Sequence, residues 1–149
     1  MKLTHLDDQG NARMVDISDK PRVKRTAVAR GQIKMLPDTI KQIRDGSMKK
    51  GDVLAAARIA GIMAAKKASD LIPLCHTIEI DQVSVDFNYI EDGIEITSEA
   101  VCVDRTGIEM EALTAVSVTA LTLYDMCKAV DKQMVINDIR LVKKEKKAV

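Results

Sequence analysis

QVSVDFNYIEDGIEITSEAVCV, residues 82–103, is the segment that decides the fold. Apolar and polar side chains alternate on both sides of Asp92-Gly93, which is the strongest hairpin signal in the chain. An alternation with a period of two is typical of strands that bury one face. The segment therefore predicts two antiparallel strands joined by a tight turn.

The residues before this hairpin predict one strand and two helices. Between residues 22 and 35 the apolar side chains fall on odd-numbered positions, as in a half-buried strand. Pro37 opens a short helix that ends at Gly46. Asp52 is placed to cap an alanine-rich helix whose last turn carries Lys66-Lys67, where the helix dipole favours positive charge.

The residues after the hairpin predict a second long helix and a last strand. The helix runs from about Ile108 to Val130, MVINDIRLV (residues 134–142) is the strand, and KKEKKAV (residues 143–149) is expected to be a frayed basic tail. The order β-α-β-β-α-β predicts an α+β ferredoxin-like sandwich, with helices on one face of an antiparallel sheet. Residues 1–20 are expected to form an irregular arm, and the whole chain, residues 1–149, a single domain.

The composition excludes several classes of protein. The chain is 46% hydrophobic and 30% charged, which is ordinary for a globular protein, and its net charge of +1 argues against a nucleic-acid binder. Three scattered cysteines and two histidines fit neither a disulfide framework nor a zinc site, so no metal is expected. MKLTHLDDQG lacks the apolar core of a secretory signal, and no apolar run reaches the ~18 residues of a membrane span. We expect a cytoplasmic protein.

The second long helix carries its polar residues at its two ends. Glu109 and Glu111 in the first turn complement the helix dipole, whereas Asp125 near the C-terminal end does not. Asp125 and Lys128, three residues apart, fit either a structural ion pair or an acid–base pair. Glu111 and Asp125 lie ~21 Å apart along a helix, so a site that uses both needs this helix from two subunits. The helix is also apolar nearly all round, which favours a partner subunit.

Two other segments carry candidate functional groups. Lys50 precedes a permissive glycine at a helix start, which suits an anionic ligand or is merely a solvated loop charge. In LIPLCHT (residues 71–77), His76 is either packed and hydrogen-bonded or part of a site. Cys75 is a poor nucleophile candidate, because neighbouring side chains on an extended segment point in opposite directions and His76 cannot serve as its base.

Three long motifs resemble one known family. KGDVLAAARIAGIMAAKKASDLIPLCH (residues 50–76), TGIEMEALTAVSVTAL (residues 106–121) and YDMCKAV (residues 124–130) resemble the cyclic pyranopterin monophosphate synthases of molybdenum cofactor biosynthesis. The likeness runs from MVDIS at Met14 to the last strand. It implies a ferredoxin-like fold, a hexamer built as a trimer of dimers, and no metal or redox cofactor. The implied reaction converts a cyclic dihydroguanosine triphosphate into cyclic pyranopterin monophosphate and pyrophosphate.

The resemblance also implies roles for eight residues. It makes Asp125, Lys128 and Lys50 catalytic. It makes five residues substrate-binding: Leu74, Cys75, His76, Met110 and Glu111. Thr77 departs from the family pattern, since many members have proline after LCH, and a looser turn is expected there. Acid–base work by these residue types fits a reaction that rearranges rings and closes a cyclic phosphate. A non-catalytic ligand-binding module on the same fold is the alternative.

Overall fold

The computed structural model describes Met1 and residues 3–149. Its elements, in chain order, are β1 (Val23–Lys34), α1 (Pro37–Asp45), α2 (Val53–Ala65), α3 (Ala68–Leu71), β2 (Gln82–Ile90), β3 (Gly93–Asp104), α4 (Glu109–Cys127) and β4 (Val135–Lys147). The strands form one sheet in the order β2-β3-β1-β4, and every neighbouring pair is antiparallel. The predicted α+β ferredoxin-like arrangement is confirmed.

The central hairpin is present, but its two-residue turn is Glu91-Asp92, one residue earlier than the predicted Asp92-Gly93, because Gly93 already pairs in β3. Ile90 pairs with Gly93 across the two-residue connection, and the alternation continues until Gln82 pairs with Val101. On β3, the side chains of Ile94 and Ile96 are fully buried, because they lie on the face that the helices cover. The period-two pattern therefore correctly predicted that these strands bury one face.

Small residues bring the helices close to the sheet and to each other. Gly31 on β1 faces α4, and a Cβ atom there would lie 2.7 Å from Val116 Cγ1. Gly61 on α2 lies where a Cβ atom would overlap Thr119 Oγ1 and approach the Ala115 carbonyl oxygen to 2.9 Å. Close packing of α2 on α4 thus depends on glycine and alanine.

The last strand is longer than predicted. β4 continues through Lys147, which pairs with Lys24, so the expectation of a frayed tail from residue 143 is wrong for most of that segment. Pairing with β1 holds this segment in a strand, although its sequence has no clear strand pattern. The lysines are compatible with an edge strand, where charged side chains also discourage pairing with other chains.

Two smaller differences concern helix ends. α2 ends at Ala65, one residue before the lysines predicted for its last turn, and the short helix α3 follows, which the sequence did not predict. α4 ends at Cys127 rather than near Val130. The N-cap prediction is confirmed, because Asp52 Oδ1 accepts a hydrogen bond of 3.0 Å from the Ala55 amide. No helix in the described part of the chain is long and apolar enough to cross a membrane.

Candidate active site

The structure brings the three predicted catalytic residues together at the C-terminal end of α4. Lys128 Nζ donates to Asp125 Oδ1 at 2.8 Å. Lys50, from the turn before α2, lies with its Nζ 3.2 Å from the Asp125 carbonyl oxygen and 4.0 Å from Asp125 Oδ2. A hydrogen bond and the positive charge of Lys128, followed by the charge of Lys50, lower the pKa of Asp125.

This cluster is open to solvent in the single chain. The exposed side-chain fractions are 48% for Lys50, 62% for Asp125 and 56% for Lys128. The hydrogen bond from Lys128 to Asp125 raises the pKa of Lys128 instead of shifting this lysine toward its neutral form. Burial would lower the pKa of a lysine, but a single chain does not bury Lys50 or Lys128.

The predicted substrate-binding residues gather at the other end of α4. Leu74, Cys75 and His76 follow the turn after α3, and Met110 lies in the first turn of α4. These four residues line a cavity of about 240 Å³, which we call the apolar cavity. Its other lining residues are His5, Ile72, Ile78, Thr106, Gly107 and Glu109.

Glu111 lies beneath this cavity and is only 2% exposed. The Cys75 thiol donates to Glu111 Oε1 at 3.9 Å, and Glu111 Oε2 has no hydrogen-bond partner among the described residues. Burial raises the pKa of Glu111 to about 7, and the charge of Glu109 contributes in the same direction. A carboxyl group poised near neutral pH can either donate or accept a proton.

Cys75 is a protonated thiol at neutral pH. Burial, together with the negative charge of Glu111, raises its pKa to about 11. The thiolate that a nucleophile or metal ligand needs is therefore disfavoured. His76 is held by the backbone instead, since its Nε2 lies 2.6 Å from the Val15 carbonyl oxygen. No three His, Cys, Asp or Glu side chains gather as metal ligands in the described part of the chain.

Thr77 ties the LCH loop to α3. Its hydroxyl donates to Ser69 Oγ at 3.3 Å, which gives the loop an anchor at the position where the resemblance led us to expect a looser turn. The Cys75 amide also bonds the Ile72 carbonyl oxygen at 3.1 Å, so the turn around Pro73 is closed.

A larger cavity of about 660 Å³ adjoins the apolar cavity, and we call it the basic cavity. The two cavities share Gly107 and Glu109. Five cations line the basic cavity and outnumber its two carboxylates, Glu109 and Glu145, which pair with Lys144 and Lys147; the cations are Lys20, Arg25, Lys144, Lys146 and Lys147. Such a concentration of positive charge suits a polyanionic ligand.

The sequence reasoning missed these basic residues. Lys144 forms an ion pair with Glu109, with Nζ 2.5 Å from Oε1. Burial opposes ionisation of Glu109, but the bond from Lys144 outweighs it and leaves the pKa lowered. Lys144 lies in the segment predicted to be a frayed tail. Only its pairing with Ala27 on β1 shows that it lies on the helix-facing side of the sheet. The sequence offered one signal, the alternation along β1, which places Arg25 on the same face of the sheet as Ala27.

One chain therefore holds two groups of candidate residues and does not join them. Lys50, Asp125 and Lys128 lie at one end of α4, and the two cavities lie at the other. Fourteen residues separate Glu111 from Asp125, which corresponds to ~21 Å along the helix.

The fold and the site together define an α+β protein with a nucleotide-sized pair of cavities and a separate lysine–aspartate cluster. A sequence model of the MoaC family matches residues 14–147, and the chain belongs to this family.

Curated relatives match nearly the whole chain. A protein of Novosphingobium aromaticivorans is 61% identical over 142 residues, which are 95% of this chain and 90% of the relative. A protein of Peptoclostridium acidaminophilum is 59% identical over 144 residues, 97% of this chain and 92% of the relative. A protein of Heliobacterium modesticaldum is 58% identical over 144 residues, 95% of this chain and 91% of the relative. All three are named cyclic pyranopterin monophosphate synthase.

Proposed function

We propose that this chain is a cyclic pyranopterin monophosphate synthase of molybdenum cofactor biosynthesis. It converts a cyclic dihydroguanosine triphosphate into cyclic pyranopterin monophosphate and releases pyrophosphate. The observation that carries the proposal is the identity of 54–61% to synthases over nearly the full chain. The clustering of every predicted site residue into one of two groups supports it.

The two cavities suit the two ends of such a substrate. The triphosphate needs positive charge, and Arg25 and Lys144 supply it in the basic cavity. The ring-derived end is less charged and fits the apolar cavity, where Leu74, Cys75, His76 and Met110 form the wall. Glu111, beneath that wall, has the raised pKa of a group that exchanges protons with substrate.

Asp125, Lys128 and Lys50 are assigned to acid–base work. Rearranging the rings requires repeated proton transfers at carbon–nitrogen and carbon–oxygen bonds, which a carboxylate and two amines can trade. Closing the cyclic phosphate requires a substrate hydroxyl to attack the α-phosphate as pyrophosphate departs. A nearby lysine stabilises the charge of that leaving group.

Release of pyrophosphate from the purified cyclic nucleotide tests the activity. Lys50→Ala and Asp125→Ala are expected to abolish release. Asp45→Ala is the matched control, because Asp45 accepts from Lys41 at 2.8 Å in an exposed ion pair that resembles the Asp125–Lys128 pair but lies on α1. The synthase proposal fails if the wild-type chain releases no pyrophosphate. The alternative, a binding module, would bind the nucleotide without turnover.

We also propose that the complete active site forms between subunits of a homo-oligomer, with a hexamer as the expected state. The separation of Glu111 from Asp125 along α4 supports this, since one helix cannot present both to one reacting centre. Apolar side chains on the outer side of the helices support it as well: Ile59 is 58% exposed, Met63 60% and Leu121 58%.

Mixed oligomers test the shared site. Chains that carry Glu111→Ala and chains that carry Asp125→Ala are inactive alone, and activity is expected to return when they are unfolded together and refolded. No recovery in mixed oligomers, whose assembly is confirmed by light scattering, would refute a site shared between subunits.

We further propose that the chain forms a single domain, that it holds no resident metal and that it is located in the cytoplasm.

A further inference from the structure

The N-terminal arm is more ordered than an irregular tail. Leu6 and Ala12 form an isolated antiparallel bridge, and the Arg13 amide donates to the His5 carbonyl oxygen at 2.9 Å. The Asp7 carboxylate closes the turn between them by accepting from the amides of Gln9 and Asn11 at 2.9 and 2.8 Å. The backbone of His5 is therefore fixed in a small hairpin.

This hairpin contacts the apolar cavity in two ways. The Val15 carbonyl oxygen lies 2.6 Å from His76 Nε2, and a carbonyl can only accept, so Nε2 carries the proton. His5 is exposed and lines the same cavity. The sequence contains two histidines, and both lie at this one cavity.

The two imidazoles differ in their partners. His76 is bound to the backbone through Nε2. The ring of His5, in contrast, has no hydrogen-bond partner within the described ranges, residue 1 and residues 3–149. The wall that faces it is largely apolar, with Ile72, Leu74 and Met110. In a pocket of this kind, a few polar groups fix the orientation of the ligand.

We propose that His5 is a further substrate-binding residue, which forms a hydrogen bond with a polar atom at the ring end of the nucleotide. The proposal rests on the proposed function, and it extends the site to a segment outside the family motifs. The ring end is the partner because the cations that suit the phosphates line the basic cavity instead.

Three full-length variants test this proposal. His5→Ala removes the imidazole, His5→Gln keeps a donor and an acceptor, and Gln9→Ala alters an exposed side chain on the same hairpin while leaving the Asp7 turn intact. We measure kcat and KM for pyrophosphate release and the Kd for the cyclic nucleotide by calorimetry. His5→Ala is expected to raise KM and Kd about tenfold or more, the effect of one lost hydrogen bond to a polar ligand. His5→Gln restores part of the affinity, and Gln9→Ala behaves as the wild type.

Proteolysis separates binding from a structural role. Release of the hairpin is expected to speed tryptic cleavage after Arg13, so equal cleavage rates in His5→Ala and the wild type show that the arm stays in place. The proposal is overturned if His5→Ala leaves Kd unchanged, or if weaker binding is accompanied by faster cleavage after Arg13 and is not rescued by His5→Gln.

The same measurements distinguish this proposal from the proposed activity. If the wild type binds the nucleotide but does not turn it over, the activity proposal fails, and the Kd values still decide the role of His5. If the wild type neither binds nor turns over the nucleotide, both proposals are overturned.

Discussion

Replacing Glu111 by glutamine should change how the stability of the protein depends on pH. The carboxyl group is 2% exposed, and burial raises its pKa from 4.5 to about 7. Between these values the unfolded chain loses a proton that the native chain keeps. The free energy of unfolding therefore falls as pH rises through this window, by about 3 kcal/mol for a difference of this size. Glu111→Gln cannot ionise and lacks this decrease.

The assay is urea unfolding followed by circular dichroism at pH 4.5 and pH 8, at one fixed protein concentration because association also affects stability. Relative to wild type, Glu111→Gln should gain about 3 kcal/mol in unfolding free energy between the two pH values. Titrating groups that do not interact with Glu111 cancel in this difference.

Glu109 provides the control of opposite sign. Burial raises its pKa, but the ion pair with Lys144 outweighs this and leaves the pKa below 4.5, so Glu109→Gln should lose stability relative to wild type as pH rises toward 4.5, and the urea series for this control extends below that pH. The reasoning is refuted if the difference between Glu111→Gln and wild type stays constant within about 1 kcal/mol, the order of the extrapolation error.

Three further predictions concern packing, a buried carboxylate and the basic cavity. Gly61→Ala should lower the unfolding free energy by about 1–3 kcal/mol, because the new Cβ overlaps Thr119 Oγ1; unchanged urea unfolding would contradict the close helix contact. Asp131 is 1% exposed, and burial opposes its ionisation, but hydrogen bonds from Leu36, Gln133 and Thr39 outweigh this and lower its pKa. Its contribution to stability is present above pH 3.8 and lost in more acidic solution, so Asp131→Asn should destabilise the chain and flatten the acid limb of a pH–stability curve. Lys144→Ala should raise KM for the nucleotide about tenfold, whereas the adjacent Lys143→Ala, which is outside the cavity, should not; equal KM values would exclude the basic cavity as the phosphate site.

Much of the fold could be predicted because it depends on local patterns. Residues within a few positions specify the central hairpin, although its turn lies one residue before Asp92-Gly93, and they specify the helix that Pro37 opens and the cap at Asp52. The motifs around residues 74–76 and 125–128 also supplied the predicted site residues, which the structure gathers into two groups. A period of two or 3.6 is a property of consecutive residues, so the sequence alone contains it.

Other parts of the site depend on contacts between distant segments. The tail from residue 143 contains no clear strand pattern, yet it pairs with β1 and places Lys144 beside Glu109. His5 reaches the apolar cavity through a hairpin whose turn depends on Asp7. Neither arrangement has a periodic signal, since each depends on hydrogen bonds to another segment.

The amino-acid sequence alone predicts the order of the strands and of every helix except α3, the faces that the strands bury and the family to which the chain belongs. Only the tertiary structure showed that Glu111 is buried with an unpartnered oxygen, that the lysine–aspartate cluster is exposed in one chain, and that the two groups lie at opposite ends of α4. The physical reason is that burial and electrostatic environment are properties of the residues around a side chain in space. Those residues are brought together by packing and strand pairing, which no local pattern records.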